Sequence, residues 1–364
     1  MTLPAILRTL ETLLFRKTRF APYRVADTRY DPAYYHSVLA GLRENYFANG
    51  LSDKFEVYES LIAGLRNLPN AAIVPLRELM STKSEGRKVI ALRFDIDADP
   101  ETAVRLARFN ARYGICASFF ILHTSYYYGI FLDGVWCRNA PRIREWTQSL
   151  YLAGAEVGMH VDPLYVYAEH GMDGSQAVIT ELAYLRDFGA KIDGVVAHNS
   201  LPVYGAENFE IFAGKTVWQR RKIKVKNNRW IPLGVLSPEK CGIAYEGNYS
   251  VPVSRSPSTE ATAWIRATLK PEAANSEDWM RTYLLDNPCY RRQYEVCVWH
   301  HGGGKWSIAG RIPGQEPTWK WKISHLEMLD AVREMPTGIR IAMVMHPIGF
   351  SADRVHKTTA GGTT

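Results

Sequence analysis

Between residues 88 and 200 the sequence predicts an α/β fold built on parallel strands, on three observations. Short apolar runs alternate with amphipathic stretches of helical period. Capping residues open those stretches and glycines close them. Polar, chemistry-bearing side chains fall where the apolar runs end. This alternation folds as right-handed βαβ units, in an open sheet or a barrel.

VIALRF is the first strand of this core, a short apolar and β-branched run. In DPETAVRLARFNARYG, Asp99 is placed to cap a helix and Pro100 occupies its first turn. Val104, Leu106, Ala107 and Tyr113 form one apolar face, and Gly114 stops it. CASFFIL (116–122) is a second strand and PRIREWTQSLYLAG (141–154) a second helix. EVGMHV (156–161), SQAVITELAYLRDFG (175–189) and KIDGVVAH (191–198) continue as strand, helix and strand, and IRIAMVM (339–345) is a late strand. Ahead of the core, AYYHSVLAGLRENYF and KFEVYESLIAGLRNL read as helices and AAIV as a short strand. Residues 1–87 are therefore expected to form a helical extension packed on a core of 88–350. An elaborated insertion occupies about 200–335, with strands at KCGIAYEG and YEVCVWHH, and 351–364 is expected to be a flexible tail.

The 364 residues are 46% hydrophobic and 12% aromatic, with 20 Tyr and 10 Trp, which favours a folded, ring-contacting protein over a disordered one. The net charge of +7 is not spread over repeated basic elements, which argues against nucleic acid as the partner. Five cysteines without a CxxC pair fit reduced thiols in a cytoplasmic protein. The N-terminus lacks the pattern of a signal peptide. Leu3 to Phe15 reads as an amphipathic helix for packing or a dimer contact; Arg16, Lys17 and Arg19 behind it leave peripheral membrane docking open.

Functional groups gather at the carboxyl ends of strands in folds of this class. Asp95 and Asp97 end the first strand, His123 the second, His160 and Asp162 the third, His198 and Asn199 the fourth, and His346 the last. Carboxylate oxygen with imidazole nitrogen suits zinc or a similar divalent ion. Asp95 and Asp97, two apart on a strand, face the same way about 7 Å apart, so one can bind the ion while the other accepts a proton. Such an ion also offsets the repulsion within FDIDAD (94–99). Asp99 is read as the helix cap.

RFDIDADPETAVRLARFNARYGICASFFIL, AGAEVGMHVDPLY, VVAHNS and AMVMHP, in that order, resemble the polysaccharide deacetylase family (carbohydrate esterase family 4), in particular the branch serving surface-polysaccharide biosynthesis. The resemblance covers about 88–200 and 335–350. It implies a distorted, incomplete (β/α) barrel and a zinc-dependent deacetylase acting on an acetamido sugar, nucleotide- or lipid-linked, in O-antigen or capsule assembly, in the cytoplasm or at the inner face of the membrane; the alternatives are a hydrolase of another sugar amide, such as a formamide, and a non-catalytic glycan-binding protein of the same fold. Carried over, Asp95 matches the catalytic base, Asp97 and His160 metal ligands, and His346 the late histidine that protonates the leaving group. The family's second histidine is replaced by Leu164, so His198 or Asp162 is expected to complete the metal set. The family's Arg-x-Pro-Tyr motif is absent as well, leaving no candidate to orient Asp95.

Three other features read as structural. WHHGGGKW, with His300 and His301, lacks the setting of a phosphate loop and reads as a hairpin turn. QRRKIKVKNNR (219–229) reads as a strand with one charged face, able to meet the phosphates of a linked sugar. The scattered tryptophans, Trp230 to Trp321, are expected mostly in the core.

Overall fold

A computed structural model describes residues 20–79, 81–199, 208–212, 222–224, 230–232, 235–247, 259–269, 296–310, 312 and 318–359. The expected helix at Leu3–Phe15 lies outside the described residues, as does most of the basic run, of which Lys222–Lys224 pairs antiparallel with Trp230–Pro232.

Ten strands form one sheet: β1 (Ala71–Val74), β2 (Lys88–Ile96), β3 (Ser118–Leu122), β4 (Glu156–Val161), β5 (Gly194–Ala197), β6 (Tyr245–Glu246), β7 (Val296–Gly302), β8 (Lys305–Gly310), β9 (Thr318–Ser324) and β10 (Arg340–Met345). The order across the sheet is β6-β5-β4-β3-β2-β10-β7-β8-β9, with β1 beside the first half of β2. Strands β6 through β7 run parallel, as the alternation predicted, whereas β7, β8 and β9 form an antiparallel meander. Among the described residues the sheet stays open, with β6 and β9 as its edges, and no pairing closes a barrel.

The helices include α1 (Pro32–Ala48), α2 (Phe55–Arg66), α3 (Pro100–Ala111), α4 (Ala140–Leu152), α5 (Pro163–His170), α6 (Gly174–Arg186), α7 (His325–Glu334) and α8 (Ala352–Thr359), with a further helix at Thr259–Thr268. Asp99 caps α3 as expected, its carboxylate accepting the Thr102 N–H at 2.9 Å. The tyrosine hydroxyl of Tyr58 on α2 donates to Asn110 on α3 at 2.7 Å, and Arg43 on α1 grips Asp99, so both early helices are tied to the core. Residues 352–359 are not the expected tail. They form α8, with Ala352 and Val355 buried and with Asp353 paired to Arg105 and Arg354 to Glu101.

Side-chain alternation divides β2 between two environments. Ile90, Leu92, Phe94 and Ile96 enter the large core, where Phe94 stacks on Phe119 of β3 with ring centroids 4.6 Å apart. Val89 and Ala91 enter a smaller cluster on the other face, shared with Phe120, Val196, Ala342 and Val344. Along that second face β2 continues as Arg93 and Asp95, so an apolar surface becomes charged toward its carboxyl end. Register then sets the neighbours. Met345 pairs with Phe94 and His160 with both Leu122 and Val196, which gathers the ends of β2, β4, β5 and β10 at one rim.

The Gly302-Gly303-Gly304 run is the β7–β8 hairpin turn, all three glycines at positive φ. A Cβ on Gly302 or Gly303 would collide with the carbonyls of Leu51 or Gly50, so this turn also requires glycine for close approach to the end of α1. His300 sits just before it, buried, bonded to Asp53 at 2.7 Å and stacked on Phe350, and His301 bonds Ser307. Both belong to the hairpin's framework.

Candidate metal centre

Two of the three acids of FDIDAD are held by arginines, and the third is not. Asp95, 4% exposed, receives both arms of Arg93, Nε to Oδ1 at 2.8 Å and Nη2 to Oδ2 at 2.6 Å. Asp99, fully buried, is held in the same two-armed way by Arg43 at 2.8 and 2.9 Å. Among the described residues no arginine pairs with Asp97. Its Oδ1 lies 3.3 Å from His160 Nε2 and its Oδ2 lies 3.2 Å from His346 Nε2, and Oδ1 is buried without a hydrogen-bond partner.

The tautomer of His160 sharpens this deficit. Its Nδ1 lies 2.8 Å from the Val196 carbonyl, which can only accept, so Nδ1 carries the proton. In the neutral ring Nε2 is then a bare lone pair facing a carboxylate oxygen, and only a proton or a cation reconciles the two. His198, on the adjacent strand end, places its ring against His160 with centroids 5.1 Å apart. Its Nδ1 is bonded to Asp162 at 2.9 Å, which leaves Nε2 for a ligand role.

Asp97, His160 and His198 together can hold a metal ion, each offering one ligand atom, all within 4.8 Å of one another. The 3.3 Å between Asp97 and His160 is the edge expected when donors surround zinc tetrahedrally at bonds of about 2.0–2.1 Å. Of the two candidates for the third place, the geometry brings His198 to the group. Asp162 stands behind it, capping α5 through Tyr165 N–H at 3.3 Å and accepting from Asn208 Nδ2 at 2.8 Å. Leu164 is fully buried, its N–H donated to the Asn208 side chain, and the imidazole beside His160 comes from His198 at the end of β5.

The electrostatics point the same way. Burial would raise the Asp97 pKa, but His346 and His160 hold it well below the usual carboxylate range. Burial would lower His198, but Asp162 beside it pushes it up to about 9, while Asp162 falls, against its own burial, to about 2 under the pull of His198. His346 is likewise raised by Asp97 against the effect of burial. The site therefore draws in positive charge. Protonated imidazoles supply it, and a divalent cation supplies the same charge while releasing those protons.

The remaining expected residues fall as follows. Asp95 faces the group with Oδ2 4.0 Å from His160 Nε2; burial would raise its pKa, and Arg93, then His160, lower it instead. His346 is half-exposed at the open side of Asp97. His123 is fully buried, and its Nδ1 has no hydrogen-bond partner among the described residues. Its Nε2 accepts the Asp162 N–H at 2.9 Å, and burial pushes its pKa down to about 4, so it is neutral.

Sequence reasoning missed Arg93, Arg43 and Asn208. Arg93 was within reach, since Arg-x-Asp on a strand puts both side chains on one face; it supplies the orientation of Asp95 for which the sequence offered no candidate. Arg43 lies 56 residues from Asp99 and Asn208 46 from Asp162, and no local pattern links them. No family model, no curated protein and no solved structure matches this chain.

Proposed function

We propose that this chain is a metal-dependent amide hydrolase of the polysaccharide deacetylase kind, with zinc as the expected ion, on a variant of that family's incomplete barrel. The substrate class is an N-acetylated amino sugar, nucleotide- or lipid-linked, used in surface-polysaccharide assembly. The observation that carries the reading is the unequal treatment of three neighbouring aspartates. Asp95 and Asp99 are each neutralised by an arginine, while Asp97, buried at Oδ1, faces only imidazoles. A half-buried carboxylate whose charge is met by imidazoles alone, with one oxygen buried and unbonded, is the kind of group that functional sites hold.

Asp97, His160 and His198 would hold the ion, whose chemistry is to polarise the amide carbonyl and acidify water. Asp95 accepts the proton of the attacking water. Its two-armed hold on Arg93 keeps it ionised and fixes its direction, as a general base requires. His346, whose affinity for a proton is raised by Asp97, gives that proton to the departing amine as the C–N bond breaks. Asp162 and Asn208 orient His198 from behind.

The test is acetate release from a panel of nucleotide-linked acetamido sugars by the zinc-loaded full chain. The expected result is zinc-dependent release that falls about 10²–10⁴-fold in Asp95→Asn while bound zinc is retained. Release of formate in place of acetate from N-formyl analogues would change the acyl group. A zinc-loaded protein that releases neither overturns the hydrolase reading.

A further inference from the structure

Immediately after His123 the chain reads Thr-Ser-Tyr-Tyr-Tyr-Gly, and three consecutive hydroxyls of this turn reach three consecutive carbonyls of the acidic loop. Tyr127 Oη donates to Ile96 O, Ser125 Oγ to Asp97 O and Tyr126 Oη to Ala98 O, each at 2.7 Å. We propose that Ser125, Tyr126 and Tyr127 are positioning residues that fix the Asp97 carboxylate for the metal. The inference rests on the metal reading of the centre.

The physical reason lies in the backbone. The direction of the Asp97 Cα–Cβ bond is set by the two peptide planes that flank it, and those planes carry the carbonyls of Ile96 and Asp97. β2 ends at Ile96, so no ladder bond continues through Asp97 to hold them. Tyr127 and Ser125 take over where the sheet stops. Tyr126 locks the next plane, which leads into the Asp99 cap of α3. Tyr127 is itself anchored, because its oxygen also accepts the Leu122 N–H at 2.9 Å and its ring lies edge-on to Trp146. The clamp is thus built from the end of β3 and restrains the end of β2, and it holds the one ligand of the three that does not lie at the end of a paired imidazole. His160 and His198 have their second nitrogens bonded to Val196 and Asp162. Asp97, with Oδ1 unbonded, is restrained through its main chain instead.

Tyr127→Phe would strand two buried backbone groups and endanger folding, so the decisive variants are Ser125→Ala, Tyr126→Phe and their double. Zinc affinity is measured by chelator competition, the Co²⁺ ligand-field spectrum reports coordination geometry, and thermal unfolding of the metal-free proteins reports the fold. Expected is a loss of zinc affinity of about ten-fold or more in the double variant. An altered Co²⁺ spectrum should accompany it, with metal-free unfolding temperatures close to the parent's. Parent-like affinity and spectrum in the double variant overturn the clamp while leaving the metal centre standing. A parent protein that takes up neither ion overturns the metal reading itself, and the positioning role with it. A variant whose affinity falls only in step with its unfolding temperature assigns the hydroxyls to stability and also overturns the proposal.

Discussion

The two ends of β4 carry buried acidic chemistry on the same face of the sheet, and they are finished differently. At the amino end Glu156, 2% exposed, has both oxygens engaged: Oε1 accepts Tyr245 Oη at 2.7 Å, and Oε2 accepts Ser118 Oγ and, at 3.2 Å, the Arg77 N–H. At the carboxyl end His160 presents a bare nitrogen to Asp97 Oδ1, which has no hydrogen bond. Both regions are buried and charged, so burial and charge do not mark a site. What sets the carboxyl end apart is an unbonded carboxylate oxygen within ligand distance of two imidazoles. A closed set of partners ties β3, β4, β6 and the segment after β1 together, whereas the open set leaves room for a ligand.

The comparison can be broken most forcefully at Arg93. Arg93→Met leaves Asp95 buried and unpaired, and the folded state should lose about 3–5 kcal/mol by urea unfolding at neutral pH. A loss under 1 kcal/mol would mean that Asp95 is already free to reach solvent. At the closed end, Glu156→Ala strands Ser118, Tyr245 and the Arg77 amide. It should cost about 3 kcal/mol in the same assay while leaving zinc affinity unchanged, and a fall in zinc binding would erase the distinction between the two ends.

His123, whose Nε2 accepts the Asp162 N–H while its buried Nδ1 has no hydrogen-bond partner, tests how far burial alone sets protonation at the rim. Its pKa is about 4 when folded and about 6.5 when unfolded, so between those values the unfolded chain binds the extra proton. Its contribution is therefore complete above pH 6.5 and is lost as pH falls toward 4, amounting to about 3 kcal/mol at most. In His123→Gln the decline of stability over that window should be shallower by this amount, and an unchanged slope would show that His123 titrates normally. The smallest effect belongs to the support behind His198. Asp162→Asn should weaken zinc about 10–100-fold without abolishing it, read by chelator competition. Complete loss would promote Asp162 from support to ligand.

What the sequence disclosed follows from locality. EVGMHV is β4 over the residues expected, Asp99 caps α3, and the strand ends converge because parallel βαβ units place their carboxyl ends together. Asp162 caps Tyr165 at the start of α5, one of the roles its sequence setting offered. Other local signals went unread: Gly171, at φ 64°, closes α5, and Asp133-Gly134, both at positive φ, turns a hairpin between Gly129–Leu132 and Val135–Arg138. The partners that decide function were not local at all. Arg43 meets Asp99 across 56 residues and Asn208 meets Asp162 across 46, contacts made by packing alone. Likewise, strand periodicity carries no information on whether a sheet closes, and among the described residues it stays open between β6 and β9.

Among the described residues no helix is long and apolar enough to cross a membrane. The most direct measurement is zinc stoichiometry and affinity of the full-length protein beside its Asp97→Asn variant, by elemental analysis and calorimetry. The expected result is about one tightly bound ion per chain in the parent and none in the variant, with both proteins folded. A parent that binds no divalent ion, or a variant that binds it as tightly as the parent, would contradict the assignment of Asp97, His160 and His198 as a metal centre.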